Sequence, residues 1–401
     1  MKKVSRKQSN GIEDFGKGCE VTFLDNILRD GELRSREFPV TRDNIFLAHA
    51  ATCPLPMRVA RAIRRYIKDV SNSGQFDYLH RDIEIQTREL VAKLLHVSPD
   101  EVAFTGSTSL GLSLVAAGLE WEKGDNVVIA EADFPANVYP WLGLKRKGVE
   151  VKFIPHQPTG VITLNEVREH IDKRTRLVSL SSVHYLTGAT IDLDAIGAFL
   201  RERGILFCVD AIQSLGALPC SVKHVDFLSA DAHKWLLGPQ GIAIFFVRRD
   251  NFGLLYPALL GWKSVREHRK FTRIKLDLPD CARRYEPGSL NIVGLVGLHA
   301  ALLLIQKIGI DKIANHLADL RTKLISALKK KGYEVLGISS GRLRTGITSF
   351  KADSIVDLYN RLDLKRIVVS LRDDLSGNPC IRVSPHFYNT ENEIDALLSE
   401  L

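Results

Sequence analysis

The stretch "EVAFTGSTSLGLSLVAAGLE", Glu101 to Glu120, sets the class of fold. Val102 to Thr105 is a short run of β-branched, small and aromatic residues closed by Gly106. A run of that kind, bounded by a glycine, reads as a buried strand. Ser107, Thr108 and Ser109 follow directly, and the apolar residues after them read as a helix. The same alternation continues downstream. "NVVIAE", "EVKFIP", "TRLVSLSS", "ILFCVD", "DFLSAD" and "GIAIFFVRR" read as strands, with helices at "ANVYPWLGLKRKG", "TLNEVREHI" and "DLDAIGAFLRERG". Strands separated by helices predict an α/β fold, a mostly parallel seven-stranded sheet with helices on both faces. Ligands of such sheets lie outside the carboxyl ends of the strands. That rule singles out Thr105, Gly106, Glu131, Ser182, Asp210 and Ser229.

Beyond Asn291 the pattern changes. "VGLVGLHAALLLIQKIG" and "IANHLADLRTKLISALKKKG" read as two long helices. Strands at "YEVLG", "GITSF", "IVVSLR" and "IRVSP" follow, with helices at "SIVDLYNRLDL" and "ENEIDALLSEL". The expected organisation is an N-terminal arm over 1–45, a large domain over 46–290 and a smaller α+β domain over 291–401. The first ten residues of the arm read as a disordered tail.

The 401 residues are 45% hydrophobic and 25% charged, which suits a chain that buries a sizeable core. No apolar run reaches the ~18 residues of a membrane span. "MKKVSRKQSN" is basic but has no apolar segment behind it, so it does not read as a secretory signal. The net charge of +8 comes without a basic stripe interleaved with aromatics, which argues against nucleic acid. Attraction for an anionic small molecule accounts for it equally well. The six cysteines (Cys19, Cys53, Cys208, Cys220, Cys281 and Cys380) form no C-x-x-C pair, so neither a metal site nor a disulfide framework is indicated. A reducing cytoplasm is the expectation.

The chemistry centres on "SADAHKWLLGPQG", Ser229 to Gly241. It sets Lys234 just beyond a strand end. Burial disfavours a charged lysine, and the neutral amine forms Schiff bases with aldehydes, pyridoxal phosphate included. A surface lysine opening a turn is the alternative. Upstream, "LFCVDAIQS" ends a strand in Asp210, with Gln213 shortly after. Such a carboxylate can pair with the protonated pyridine nitrogen of pyridoxal phosphate, and the glutamine can reach the phenolic oxygen. An Asp there can also simply cap a helix. Thr108 and Ser109, in a first helical turn after a strand, can hold a phosphate through hydroxyls, free N–H groups and the helix dipole. Phe134, in "EADFPANVYPW", can cover a cofactor ring or be an ordinary core residue.

Taken together and in this order, these motifs resemble the class V aminotransferases, fold-type I pyridoxal-phosphate enzymes. That family also holds cysteine desulfurases, selenocysteine lyases, kynureninases and isopenicillin-N-epimerase-like proteins. The resemblance runs from "FLAHAATCPLP" at Phe46 to the end and includes "IRVSPHFYNTENEID". It implies pyridoxal 5'-phosphate as cofactor, an amino acid as substrate and a homodimer. It casts Lys234 as the Schiff-base lysine and proton carrier, and His233, Thr108 and Ser109 as phosphate contacts. It pairs Asp210 with the ring nitrogen and Gln213 with the phenolic oxygen. Phe134 falls where many relatives carry a stacking histidine. Arg382 matches the arginine that binds the substrate carboxylate, a task suited to its planar fork. Ser289, in "YEPGSLN", matches the segment that reaches the neighbouring subunit's phosphate. His49 aligns near the substrate mouth, with a structural histidine in a turn as the alternative.

The sequence also departs from the desulfurase pattern. The loop that carries a reactive cysteine in desulfurases is here the short "SLRDDLSGNPC", with Cys380 in an expected strand two residues before Arg382. His184 and Tyr185 stand where desulfurases commonly have an asparagine, and Asp231 replaces a serine before the His–Lys pair. An anion facing the phosphate is unfavourable, so Asp231 is expected to point elsewhere. The expected activity is therefore transamination, epimerisation or β-group loss from an amino acid. A cysteine desulfurase using Cys380 and an idle cofactor-fold binding protein are the rivals.

Overall fold

Runs of β-branched and aromatic residues build the central sheet. The structure is a computed structural model that describes residues 22–75, 80–157, 159–337, 345–374 and 376–401. The sheet's strands are β1 (Val102–Thr105), β2 (Asn126–Ala130), β3 (Glu150–Ile154) and β4 (Thr175–Ser181), followed by β5 (Leu206–Asp210), β6 (Phe227–Asp231) and β7 (Ala243–Val247). They lie in the order β1-β7-β6-β5-β4-β2-β3. Strands β2 to β6 run parallel, and β7 runs antiparallel to both of its neighbours. β1, β2, β5, β6 and β7 are buried at every position, which is why they read as continuous apolar runs and not as alternating ones. All seven expected strands are present.

The helix expected over "ANVYPWLGLKRKG" is instead three short turns, Pro135–Asn137, Tyr139–Leu142 and Gly143–Lys147. Pro135 and Pro140 lack the N–H that a continuous helix needs, so each opens a new turn.

Helices α1 (Met57–Asn72), α2 (His80–Leu95) and α3 (Thr108–Gly118) precede two long ones, α4 (Ile292–Ile308) and α5 (Ile310–Lys330). Gly309, at φ 92°, turns the chain between α4 and α5 in a left-handed conformation open to glycine. α4 packs on α1 and α2, and its Leu295, Leu298, Leu302 and Ile305 join the large-domain core. The small-domain core begins only within α5, at Leu320, Leu324 and Leu328. α4 thus packs into the core beneath the larger sheet, although the composition shifts at Asn291.

The small domain carries β8 (Glu334–Val335), β9 (Thr348–Lys351), α6 (Ile355–Leu364), β10 (Ser370–Asp373), β11 (Pro379–Val383) and α7 (Glu391–Ser399). Its strands form an antiparallel sheet in the order β10-β11-β9-β8. The N-terminal segment packs against the same core as a separate two-stranded sheet, with Ile45–Phe46 pairing parallel to Ile367–Val368. The same segment then crosses to the large domain, where the Cys53 N–H donates to the His233 carbonyl at 2.8 Å. One extended segment therefore ties both domains to the loop carrying Lys234. The expected tail, residues 1–10, lies outside the described residues. Among the described residues no single helix is long and apolar enough to cross a membrane.

Candidate active site

β6 delivers Lys234 to the carboxyl edge of the sheet. Past Asp231 the chain turns back: the Ala232 N–H donates to Ile242 O at 3.0 Å, and the Gly238 N–H to Ala232 O at 2.8 Å. His386 Nε2 binds the Trp235 carbonyl at 2.9 Å and holds the loop from the small-domain side. Lys234 is only 8% exposed. Burial lowers its ammonium pKa from the usual lysine value, Arg382 and Arg372 add to that, and Asp210 and Asp231 oppose it. The amine lines a cavity of about 360 Å³ that also contains Asp210, Gln213, Phe134 and Arg382. A surface lysine opening a turn does not describe this position.

Asp210 ends β5, the strand beside β6. Its Oδ1 accepts the Ile212 N–H at 3.0 Å. Among the described residues its Oδ2 is buried without a hydrogen-bond partner. Burial, and then the nearby Asp133, push this carboxyl above the usual carboxylate range. A turn, not a helix, follows it, so helix capping does not explain the residue. A buried oxygen aimed at a cavity and lacking a donor is what a protonated pyridine nitrogen would complete. Gln213 is fixed at both ends: Nε2 donates to Ala50 O at 3.0 Å, and Oε1 accepts the Trp235 Nε1–H at 2.8 Å. Its second amide N–H remains for a ligand.

α3 opens at Thr108, with Ser107 as N-cap accepting the Leu110 N–H at 3.1 Å. Thr108 and Ser109 both line the cavity. Thr108 Oγ1 accepts the Asp231 N–H at 2.8 Å. Asp231, expected to point away, points in: Oδ2 lies 3.4 Å from the Thr108 N–H. Its Oδ1 stands 2.9 Å from His233 Nδ1, at an angle that makes no hydrogen bond. The positive end of α3 draws the carboxylate inward. His233 also lines the cavity.

Phe134 is 43% exposed and covers the cavity edge-on to Tyr185, with ring centroids 5.6 Å apart, so it is not an ordinary core residue. Lys234 Nζ lies 5.5 Å from the centroid of the Phe134 ring. Arg382, on β11, is buried; its Nη1 donates to Tyr185 O at 2.8 Å, and its Nε has no partner among the described residues. Burial, and then Arg372, lower it to about 9.

Three residues do not join this group. His49 is buried off the cavity; its Nδ1 binds Ser384 O at 3.0 Å and its Nε2 binds the Tyr388 hydroxyl at 2.8 Å. Both ring nitrogens are taken, and the neighbouring Ala50, Ala51 and Thr52 line the cavity instead. Ser289 is exposed and outside the wall that one chain provides. Cys380 is fully buried, also off the wall, and burial pushes its thiol up to about 11. His184 is held by Ala132 O at 3.0 Å and by the Thr187 N–H at 3.2 Å. The sequence did not single out Arg372, which lines the mouth. The only signal available was strand alternation after Ser370, and that does not reveal which face is inward. A larger depression of about 720 Å³ lies beside Asp125 and Arg176, at the opposite edge of the sheet.

A buried lysine, a carboxylate lacking a donor and a hydroxyl-rich helix start, all at the carboxyl edge of one sheet, define a fold-type I pyridoxal-phosphate enzyme. A family model described as aminotransferase class V matches residues 45–397. The chain belongs to that family, and its cofactor is pyridoxal 5'-phosphate. It is 31% identical over 388 residues to a probable cysteine desulfurase of Methanothermobacter thermautotrophicus, covering 90% of this chain and 95% of the relative. It is 29% identical over 367 residues to an uncharacterized aminotransferase of Bacillus subtilis, covering 91% and 95%. The apo structure of a cysteine desulfurase from Thermococcus onnurineus superposes with a TM-score of 0.84 at 26% identity, covering 92% and 96%.

Proposed function

We propose that the protein acts on the α-amino-carboxylate of an amino acid, with Lys234 as proton carrier and Arg382 as carboxylate anchor. The observation that carries this reading is the convergence, in one cavity, of a buried amine, an Asp210 Oδ2 unpartnered among the described residues and a buried arginine without an acidic partner among them. When bound, pyridoxal phosphate supplies an aldehyde that takes the substrate amine and a protonated ring that accepts the electrons released at Cα. Asp210 holds the proton on the ring nitrogen. Thr108 and Ser109 would hold the phosphate through their hydroxyls, since the Thr108 N–H is turned to Asp231, and His233 through its ring. Arg382 grips the substrate carboxylate through its fork and so fixes the direction of the Cα–H bond. Lys234, with its pKa lowered by burial, takes the Cα proton and returns it at a position that sets the product. An idle binding protein has no need of a buried reactive amine facing an orphaned carboxylate.

A second reading, cysteine desulfurase, is favoured by the names of the relatives. It requires a thiolate that can reach substrate sulfur. Cys380 is fully buried and off the cavity wall, and its thiol is held protonated by burial, so the first reading stands ahead. The test is a spectral screen of amino acids against the holoenzyme, with products assayed as keto acid, opposite enantiomer, or alanine with sulfide. Keto acid or the opposite enantiomer supports the first reading. Sulfide from cysteine that disappears in Cys380→Ala establishes the second.

The working unit in this proposal is a homodimer in the cytoplasm. Supporting it, the segment leading to Ser289 exposes Leu260, Trp262, Phe271 and Ile274, the last of them 95% exposed. Large apolar side chains exposed along one segment suit an interaction site. Light scattering on the purified protein reads the mass directly.

A further inference from the structure

Arg372 sits on β10 and shares the cavity with Arg382 on β11. Cross-strand register pairs Ser370 with Arg382 and Arg372 with Cys380. The two arginines are therefore diagonal neighbours on one face of the sheet, within reach of each other's long side chains. Neither guanidinium has an acidic partner among the described residues. Among the described residues Arg372 Nη1 donates only to the backbone carbonyl of Leu371, at 2.9 Å. Arg382 has Tyr185 O on Nη1 and a bare, buried Nε. The adjacent Asp374 is occupied by Lys351 at 2.6 Å, and Asp373 points to solvent on the exposed end of the strand. The carboxylates of the same cavity, Asp210 and Asp231, lie at the cofactor end, where Asp231 faces Thr108 and His233. Like charges this close repel, and here Arg372 lowers the Arg382 pKa. One substrate carboxylate compensates one arginine and leaves the other bare.

We propose that Arg372 is a second anion site, so that the substrate is an amino acid whose side chain carries its own carboxylate. The inference rests on the amino-acid reading above. Arg382, the deeper and more rigid of the two, takes the α-carboxylate. Arg372, half-exposed at the mouth, takes the distal one through the donors its single backbone bond leaves free. The site discriminates because a side-chain carboxylate adds a charge-assisted contact at Arg372 that a neutral side chain cannot make.

The test uses unreactive acids, so it does not depend on turnover. Holoenzyme is titrated calorimetrically with succinate and glutarate, and with propionate and butyrate as singly charged counterparts. The dicarboxylates are expected to bind roughly tenfold or more tightly, the scale of one charge-assisted hydrogen-bonded contact. The better of the two chain lengths indicates the spacing. Arg372→Gln brings the ratio to about one, and Arg372→Lys, which keeps charge without the fork, leaves an intermediate ratio. Equal affinity for both acid classes in the native protein overturns the inference while leaving the amino-acid reading intact. So does a preference that survives Arg372→Gln. If no carboxylate binds and no amino acid perturbs the cofactor spectrum, both fall together.

Discussion

Replacing Asp210 by asparagine separates what this carboxylate does for the cofactor from what it does to the protein alone. Asparagine keeps an oxygen for the Ile212 N–H and removes the charge on the unpartnered Oδ2. A buried polar group without a partner costs about 1–3 kcal/mol, and a charged one more. Lys234 attracts this carboxylate, yet its pKa still lies above the usual 3.8, so burial and Asp133 outweigh the attraction. The sign of the pH dependence follows. An acid whose pKa is raised by folding subtracts stability at high pH, and the penalty vanishes once pH falls below the unfolded value. Cofactor-free Asp210→Asn is therefore expected to be more stable than the native apoprotein near neutral pH, because the buried charge is gone although a polar atom still stands unpartnered there. That advantage is expected to disappear by about pH 4.

With cofactor the sign reverses. A hydrogen bond to a charged group contributes about 1.5–3 kcal/mol, so the variant should bind pyridoxal phosphate roughly 10- to 150-fold more weakly. Thermal unfolding of the cofactor-free protein across this pH range and a fluorescence titration with cofactor read the two effects separately. Native cofactor affinity in the variant, or a lower unfolding temperature without cofactor at neutral pH, refutes the assignment of the orphaned oxygen.

Borohydride reduction followed by mass spectrometry should show a covalent cofactor adduct in the native protein and none in Lys234→Ala. Because burial lowers the Lys234 pKa, the rate of covalent capture should rise with pH and level off below the ordinary lysine value of 10.5. Arg382→Lys should raise KM by roughly tenfold across amino acids, since the bidentate fork is lost while the charge remains. Glu286 is fully buried and accepts from the Phe104 N–H at 2.9 Å and from Arg88 at 2.9 Å, tying α2 to β1. Glu286→Ala should lower stability by about 3–5 kcal/mol in denaturant unfolding, because it strands a largely buried guanidinium.

The strands were legible because both faces of the sheet are covered, which forces near-continuous apolar runs at β1, β2, β5, β6 and β7. Lys234, Asp210, Gln213, His233, Thr108, Ser109 and Phe134 were legible as a set, since each ends or follows a strand or opens a helix at the edge where ligands collect, whereas Arg382, inside β11 of the other sheet, was reached only through the family resemblance. Register was not legible. His49 finds its partners in Ser384 and Tyr388, more than three hundred residues away, and nothing local to "FLAHAATCPLP" announces them. Arg372 becomes a site residue only through its pairing opposite Cys380, beside Arg382. The direction of Asp231 depends on the start of α3 lying against the end of β6. The same dependence explains why the site is so exactingly placed by the fold. β5 and β6 pair Asp210 with Ser229, and Lys234 follows just beyond on β6's exit loop. A one-residue slip between these two strands would turn alternate side chains to the opposite face. The lysine and the orphaned carboxylate would then no longer share a cavity, so the pairing of two neighbouring parallel strands is what assembles the chemistry.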